Sequence, residues 1–265
     1  MGSGRQVILR AEKLTKRFGG LAALDDYHLA LKQGEVLGLI GPNGAGKTTA
    51  FNLLTGVLRA TNGRIELQGR DLTRAPAEAF AQAGIARTFQ NIRLFRDLTL
   101  WENVAVGFHM REGPGWLATI LALRSARIRE AELRDRAVVL LERVGLGEAP
   151  DRRAGNLPYG LQRKVEIARA LATRPVVLLL DEPAAGLNPA ETLRLTETLR
   201  ALAASEAVTM VVVEHDMRLV MTLCSRIQVL NRGLLLAEGS PTSIQSDEAV
   251  IEAYIGSRWR VHAHA

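Results

Sequence analysis

The apolar positions of this chain follow two different periods. Residues 7 to 40 alternate short apolar stretches with turns, Val7-Ile8-Leu9, Gly19-Gly20, Tyr27 to Leu31 and Lys32-Gln33-Gly34. That pattern predicts several strands, the last being the buried run Glu35-Val36-Leu37-Gly38-Leu39-Ile40, with a helix opening at Ala50-Phe51-Asn52-Leu53-Leu54. Thr61-Asn62-Gly63 reads as a turn and Arg64 to Gly69 as a short alternating strand. Residues 76 to 83 predict a helix that stops at Gly84, and Ile85 to Phe89 a second short strand ending on Gln90. From about Leu100 to Leu171 the period becomes helical. Leu133, Ala137, Leu140, Leu141 and Val144 share one face of a helix over Glu130 to Val144, ended by Gly145 and Gly147. Strands then return as two continuous apolar runs, Val176 to Asp181 and Thr209 to Glu214, of the kind covered on both faces in a parallel sheet. Residues 231 to 256 predict a hairpin-like stretch and a terminal helix. The sum is a helical lobe set on an α/β core.

Composition narrows this picture modestly. A chain of 265 residues with 47% hydrophobic content suits one large domain or two modest lobes with a sizeable core. Cys224, the sole cysteine, cannot form an internal disulfide, which points to a reducing compartment. No secretory leader is read ahead of the first strand. No apolar run approaches the length needed to span a bilayer, the longest being Trp116 to Leu123 and Val176 to Leu180. Trp116 to Leu123 follows the break Gly113-Pro114-Gly115 and reads as a helix buried in the lobe, with contact to a membrane-embedded partner as the alternative. The net charge of +6 comes from arginines interspersed with acids, a solvated surface more than a nucleic-acid footprint. His262 and His264 read as an exposed tail ahead of a metal site.

The chemistry concentrates in Gly41-Pro42-Asn43-Gly44-Ala45-Gly46-Lys47-Thr48-Thr49, which fits G-x-x-x-x-G-K-[ST] between a strand and a helix. Gly41, Gly44 and Gly46 admit positive φ and close approach, so successive N–H groups converge on phosphate oxygens, and the helix adds its positive dipole end. Lys47 would reach the β- and γ-phosphates, and the Thr48 hydroxyl would ligate Mg²⁺. Asp181, at a strand end, is placed to hold Mg²⁺, and Glu182 to orient or deprotonate the attacking water. His215 is the candidate for fixing geometry around the γ-phosphate. Ligands of parallel sheets bind at the carboxyl ends of the strands, where Gly41, Asp181 and His215 all fall. Phe18, taken alone, reads as a partly buried strand residue in preference to an adenine platform, and Gln90 as a loop residue making local hydrogen bonds.

This ordered set resembles the ATP-binding cassette proteins over nearly the whole chain. The carrying segments are the phosphate loop, Gln90, Asn156-Leu157-Pro158-Tyr159-Gly160-Leu161-Gln162 leading into Arg163 to Leu171, Val176 to Pro183, Gly186-Leu187-Asn188-Pro189 and His215. The resemblance implies a P-loop nucleotidase core with a mainly parallel sheet, an N-terminal antiparallel β subdomain and an inserted helical lobe. It implies a single cassette in which 7–98 and 172–240 form the core, 99–171 the lobe and 241–265 a terminal helix and tail. It further implies that Phe18 stacks on adenine and that Gln90 senses Mg²⁺ and couples to a membrane partner. Two cassettes would sandwich ATP head to tail, the signature residues Leu157, Pro158, Tyr159, Gly160 and Leu161 and the D-loop Asn188 acting across the dimer. More narrowly, Ala86 to Phe95, Ala184 to Pro189, Val213 to Met221 and Ala253 to Gly256 are similar to the ATP-binding subunits of bacterial branched-chain amino-acid importers. That subfamily implies integral membrane permease subunits, a second cassette, an external solute-binding protein and a peripheral place on the cytoplasmic face of the inner membrane. The signature departs from the family's usual L-S-G-G-Q. Pro158 lacks a hydroxyl and an N–H, and Leu161 lacks an amide. A weakly hydrolysing asymmetric cassette is therefore the first alternative, and a soluble cassette ATPase acting on nucleic acid the second.

Overall fold

The computed structural model describes residues 6–112, 123–206 and 208–259. Two sheets organise them. A four-stranded antiparallel sheet runs β2 (Leu21–Lys32), β1 (Val7–Phe18), β4 (Asn62–Leu67) and β5 (Arg70–Asp71). A six-stranded sheet runs β10 (Leu234–Gly239), β9 (Arg226–Asn231), β3 (Val36–Ile40), β8 (Thr209–Val213), β7 (Val177–Asp181) and β6 (Ile85–Arg87), parallel throughout except for β10.

The continuous apolar runs are explained by what each face of this second sheet meets. Successive strand side chains point to opposite faces. Val36 and Ile40, Leu178 and Leu180, and Met210 and Val212 enter one apolar cluster, shared with α3 (Leu100–Glu112), α4 (Leu123–Arg143), α5 (Tyr159–Ala172), α6 (Pro189–Glu206) and α7 (Met217–Leu223). Their neighbours Leu37 and Leu39, Val177 and Leu179, and Val211 and Val213 enter a second cluster with α1 (Lys47–Leu54), α2 (Ala77–Ala83) and the antiparallel sheet. With both faces covered, alternation disappears from the sequence. Truncating a fully buried member such as Leu179 to alanine removes about 2 to 5 kcal/mol.

The lobe helices α3, α4 and α5 pack on one another between the two strand-bearing segments. Helix α4 starts earlier than the pattern over Glu130 to Val144 indicates, and Gly145 in the left-handed region (φ 74°) closes it. The apolar stretch Trp116 to Leu123 lies almost wholly outside the described residues, as do His262 and His264.

Three elements differ from the sequence reading. Asn62 and Gly63 belong to β4, not to a turn before it, with Asn62 opposite Thr15 of β1. Gly63 makes this possible. The pairing shifts register between Glu12 and Thr15, and a Cβ on Gly63 would lie 2.4 Å from the Lys13 carbonyl oxygen. Strand β6 stops at Arg87 short of Phe89, because the carbonyls beyond it are taken by a buried arginine of α5. Between the β9–β10 hairpin and the terminal helix α9 (Glu248–Trp259) lies a further short helix, α8 (Pro241–Gln245), which Ser240 caps through its hydroxyl. Among the described residues no helix is long and apolar enough to cross a membrane.

Candidate nucleotide site

The phosphate loop leaves the carboxyl end of β3 and delivers its residues to the first turn of α1. Gly46 precedes the helix in the left-handed region (φ 104°), and a Cβ there would stand 2.6 Å from the Ala23 carbonyl oxygen. Glycine is therefore required at this position on two counts. Pro42 accepts from the Ala45 N–H at 3.1 Å, closing the turn that carries Asn43 and Gly44, both exposed. Thr48 is exposed and Thr49 half-buried in the first turn of α1, where backbone N–H groups have no partner within the helix. Lys47 folds back over its own loop. Its Nζ donates to the Gly41 carbonyl at 2.6 Å and the Pro42 carbonyl at 3.0 Å. Burial lowers its pKa, with the Glu182 carboxylate opposing that shift.

Asp181 ends β7 and Glu182 follows it directly. The Glu182 backbone sits at φ 44°, an unusual conformation for a residue with a side chain, held by its N–H donating to Val213 at 2.8 Å. Gln90, one turn beyond β6, donates from Nε2 to Glu182 Oε2 at 2.7 Å. His215, beyond β8, places Nδ1 4.0 Å from Glu182 Oε1. The topology thus collects Lys47, Asp181, Glu182, Gln90 and His215 at one edge of the parallel sheet.

Phe18 lies at the exposed end of β1, 49% accessible, with Lys16 Nζ 5.0 Å from its ring centroid. It is a strand residue whose ring is open to solvent. Leu157 and Pro158 lead into α5, Pro158 standing immediately before its first turn. The Pro158 carbonyl accepts from the Leu161 and Gln162 N–H groups, so the missing N–H is no loss to the helix. Leu161 packs partly against the lobe core, Gly160 lies near Glu191, and Tyr159 is exposed with its ring against Gly186. Among the described residues no hydrogen bond joins Leu157–Leu161 to the phosphate loop or to Glu182. Asn188 exchanges hydrogen bonds with Glu191, its Oδ1 accepting from the Glu191 N–H and its own N–H donating to the Glu191 carboxylate, both at 3.0 Å. That is a capping box at the start of α6.

Several residues that shape the site carry no motif. Arg87 has its guanidinium over the rings of Phe51 and Phe89, 4.7 and 4.9 Å from their centroids, donates to Asn52 of α1 and to Thr55 just beyond that helix, and has Nη2 3.6 Å from Asp181. Burial raises the pKa of Asp181, and the Arg87 charge opposes the rise. Glu214 is buried beside His215, accepting from the N–H groups of Ala184, His215 and Asp216 and so fixing the turns that carry both Glu182 and His215. Tyr254 of α9 comes close to the Gly41 backbone, and burial pushes its hydroxyl up to about 12. The signal for Glu214 was visible as an acid closing a five-residue apolar strand. Arg87 and Tyr254 reach the site only through tertiary packing.

The oxygen donors present, the Thr48 hydroxyl, the Asp181 carboxylate and the Gln90 side-chain carbonyl, make an all-oxygen set. Mg²⁺ is bound in this way, through one or two protein oxygens together with water and substrate phosphate. Among the described residues no group of three or more His, Cys, Asp and Glu could hold a metal by itself.

Comparison with known proteins adds to this geometry. The sequence profile of the ABC transporter family matches residues 24–185, and the profile "Branched-chain amino acid ATP-binding cassette transporter" matches residues 235–259. The high-affinity branched-chain amino acid transport ATP-binding protein LivG of Salmonella typhimurium is 46% identical over 251 residues, covering 95% of this chain and 98% of that protein. The ADP conformation of MJ1267, an ATP-binding cassette of an ABC transporter, superposes with a TM-score of 0.81 at 32% identity, covering 95% and 99% of the two chains. A dimeric post-hydrolysis structure of the cassette MJ0796 bound to ADP and Pi superposes with a TM-score of 0.73 at 26% identity, covering 88% and 99%.

Proposed function

We infer that this chain, which belongs to the ABC transporter family of ATP-hydrolysing cassettes, is the ATP-binding subunit of an importer for branched-chain amino acids or related small solutes. The observation that carries the reading is the convergence of Lys47, Gln90, Asp181, Glu182 and His215 at the carboxyl edge of β3, β6, β7 and β8, joined to the 46% identity with LivG. In this reading the loop Gly41–Thr49 cradles the triphosphate, Lys47 leaving the Gly41 and Pro42 carbonyls for the phosphate oxygens. Thr48, Asp181 and Gln90 would hold Mg²⁺, which would supply positive charge to neutralise the β- and γ-phosphates. Glu182 takes the proton of the attacking water as the bond from the γ-phosphorus to the β,γ-bridging oxygen breaks and ADP leaves. Gln90 orients that carboxylate, and His215, its loop fixed by Glu214, faces the same centre. Phe18 supplies the adenine platform.

Two copies, or this chain and a paralogous cassette, close head to tail over ATP, with Leu157–Leu161 and Asn188 completing the partner's site. The existence of a dimer of the cassette MJ0796 bound to ADP and Pi supports the pairing of two cassettes. Residues 7–98 and 172–240 act as the core, 99–171 as the lobe that transmits closure to integral membrane subunits, and 241–265 as a terminal appendage. The protein is peripheral on the cytoplasmic face of the membrane, and an external solute-binding protein delivers the solute. The family matches favour neither the weakly hydrolysing partner nor the nucleic-acid ATPase.

The test is uptake. Co-expressed with its permease subunits and placed in vesicles with ATP on the cassette side, the protein should drive accumulation of labelled leucine or valine in the presence of the binding protein. Lys47→Ala should abolish accumulation. ATP-independent uptake, or uptake indifferent to Lys47→Ala, would remove the reading.

A further inference from the structure

Arg163 is wholly buried on α5, and so is its partner Glu166, Nη1 donating to Glu166 Oε2 at 2.7 Å. Taking both charges out of water is costly, and a pair of well-packed apolar residues would serve stability as well or better. What the pair does is grip another element. Nη1 also donates to the Phe89 carbonyl at 2.6 Å, and Nη2 donates to the Gln90 carbonyl at 2.7 Å. The Phe89 N–H donates back to Glu166 at 3.4 Å. On its other side Nη2 reaches the Tyr159 hydroxyl at 3.4 Å. A planar fork with fixed donor directions can hold these four oxygens together, which an ammonium cannot reproduce.

The two ends of this cluster face different places. Gln90 continues through its own side chain to Glu182 at 2.7 Å. Tyr159 stands exposed in the first turn of α5 with its ring against Gly186. Since α5 is a single helix of 14 residues, a displacement at Tyr159 moves Arg163, one turn along, with it.

We propose that Arg163 is a positioning residue that links the two ATP sites of the closed dimer: contact of Tyr159 with the partner's nucleotide is carried by its guanidinium to the Gln90 backbone and thence to Glu182 of the same chain. This rests on the head-to-tail arrangement proposed above. It gives each chain a route by which a nucleotide it does not hold sets the carboxylate of the one it does. Arg163 touches neither nucleotide, so its effect is on coupling.

The experiment uses the full chain as parent, Arg163→Lys, Tyr159→Phe and the double variant Arg163→Met/Glu166→Leu, which removes both buried charges together. ATPase rate against ATP concentration gives kcat and the Hill coefficient. Binding of a fluorescent ATP analogue to dilute protein gives monomer affinity. The same substitutions in a Glu182→Gln background are scored for ATP-dependent dimers by size exclusion. The parent should show a Hill coefficient approaching about 2, the number of sites. Arg163→Lys and the double variant should lower kcat several-fold, with the Hill coefficient falling below the parent's and monomer affinity and dimer formation retained. Tyr159→Phe should lower the Hill coefficient with a smaller loss of kcat. A parent Hill coefficient of 1, full activity in Arg163→Lys, or a fall in kcat at an unchanged Hill coefficient would each overturn the proposal. Absence of ATP-dependent dimers in Glu182→Gln alone would instead strike the head-to-tail reading, and this inference with it.

Discussion

Asp181 and Glu182 are neighbours in sequence with different surroundings. Asp181 is packed beside Arg87 at the end of β7, while Glu182, in a strained backbone conformation, turns toward Gln90 and His215. In the proposed mechanism this division leaves charge handling to Asp181 and proton transfer to Glu182. Replacing Glu182 by Gln keeps its size and its contact with Gln90 while removing the base, so the ATPase rate should fall by about 10² to 10⁴ with ATP binding intact. Steady-state kinetics beside equilibrium binding of a nucleotide analogue decide this, and an undiminished rate would dismiss Glu182 as the base. Arg87 belongs to the same scale. Its guanidinium, over two phenyl rings, bridges Asn52, Thr55 and Asp181, so Arg87→Met should cost roughly 1 to 3 kcal/mol in urea denaturation. Arg87→Lys should recover only part of that, since an ammonium cannot serve the same oxygens. Full recovery by lysine would mean that charge alone matters there.

At the scale of elements, the two sheets are tied by polar groups as well as by the apolar layer between them. Arg226 at the start of β9 donates to both oxygens of Glu35, which precedes β3, and to the Ala30 carbonyl of β2, and pairs with Glu238 of β10. Tyr27 of β2 donates to Gln228 of β9 at 2.6 Å. Burial on its own would raise the Glu35 pKa, but the hydrogen bonds from Arg226 and the Lys32 N–H bring it below the usual carboxylate value. A depressed carboxylate contributes stability above its unfolded pKa, about 4.3 for glutamate, and loses that contribution as pH falls through its folded pKa. Glu35→Gln should therefore be about 1 to 3 kcal/mol less stable than the parent at pH 7, with the gap closing below about pH 4. Urea midpoints at the two pH values test it, and a gap that persists in acid would assign the effect to packing. These links show where the sequence is legible. The strands β3, β7 and β8 declare themselves by five-residue apolar runs, and the phosphate loop by spacing. The Asn62-Gly63 pair imitates a turn because Gly63 serves close backbone approach, which local pattern does not distinguish from chain reversal. Arg163 and Glu166 resemble any surface i,i+3 pair until their helical face is known to be the buried one. Asn188 shows a family motif residue also serving a plain local task, capping α6.

For the whole molecule, one chain places Lys47, Gln90, Glu182 and His215 together and leaves Leu157–Leu161 on a separate helix end without a hydrogen bond to them among the described residues. A site that needs a signature helix must then receive it from another copy or a paralogue. The most direct measurement is the Mg²⁺-dependent ATPase rate as a function of protein concentration, run beside Glu182→Gln and Pro158→Ser. The rate should rise faster than linearly with concentration, be lost in Glu182→Gln, and change little in Pro158→Ser, since either residue leaves the 158 carbonyl to accept from the Leu161 and Gln162 N–H groups in the first turn of α5. A strictly linear rate, with each chain hydrolysing ATP independently of its neighbours, would contradict that expectation.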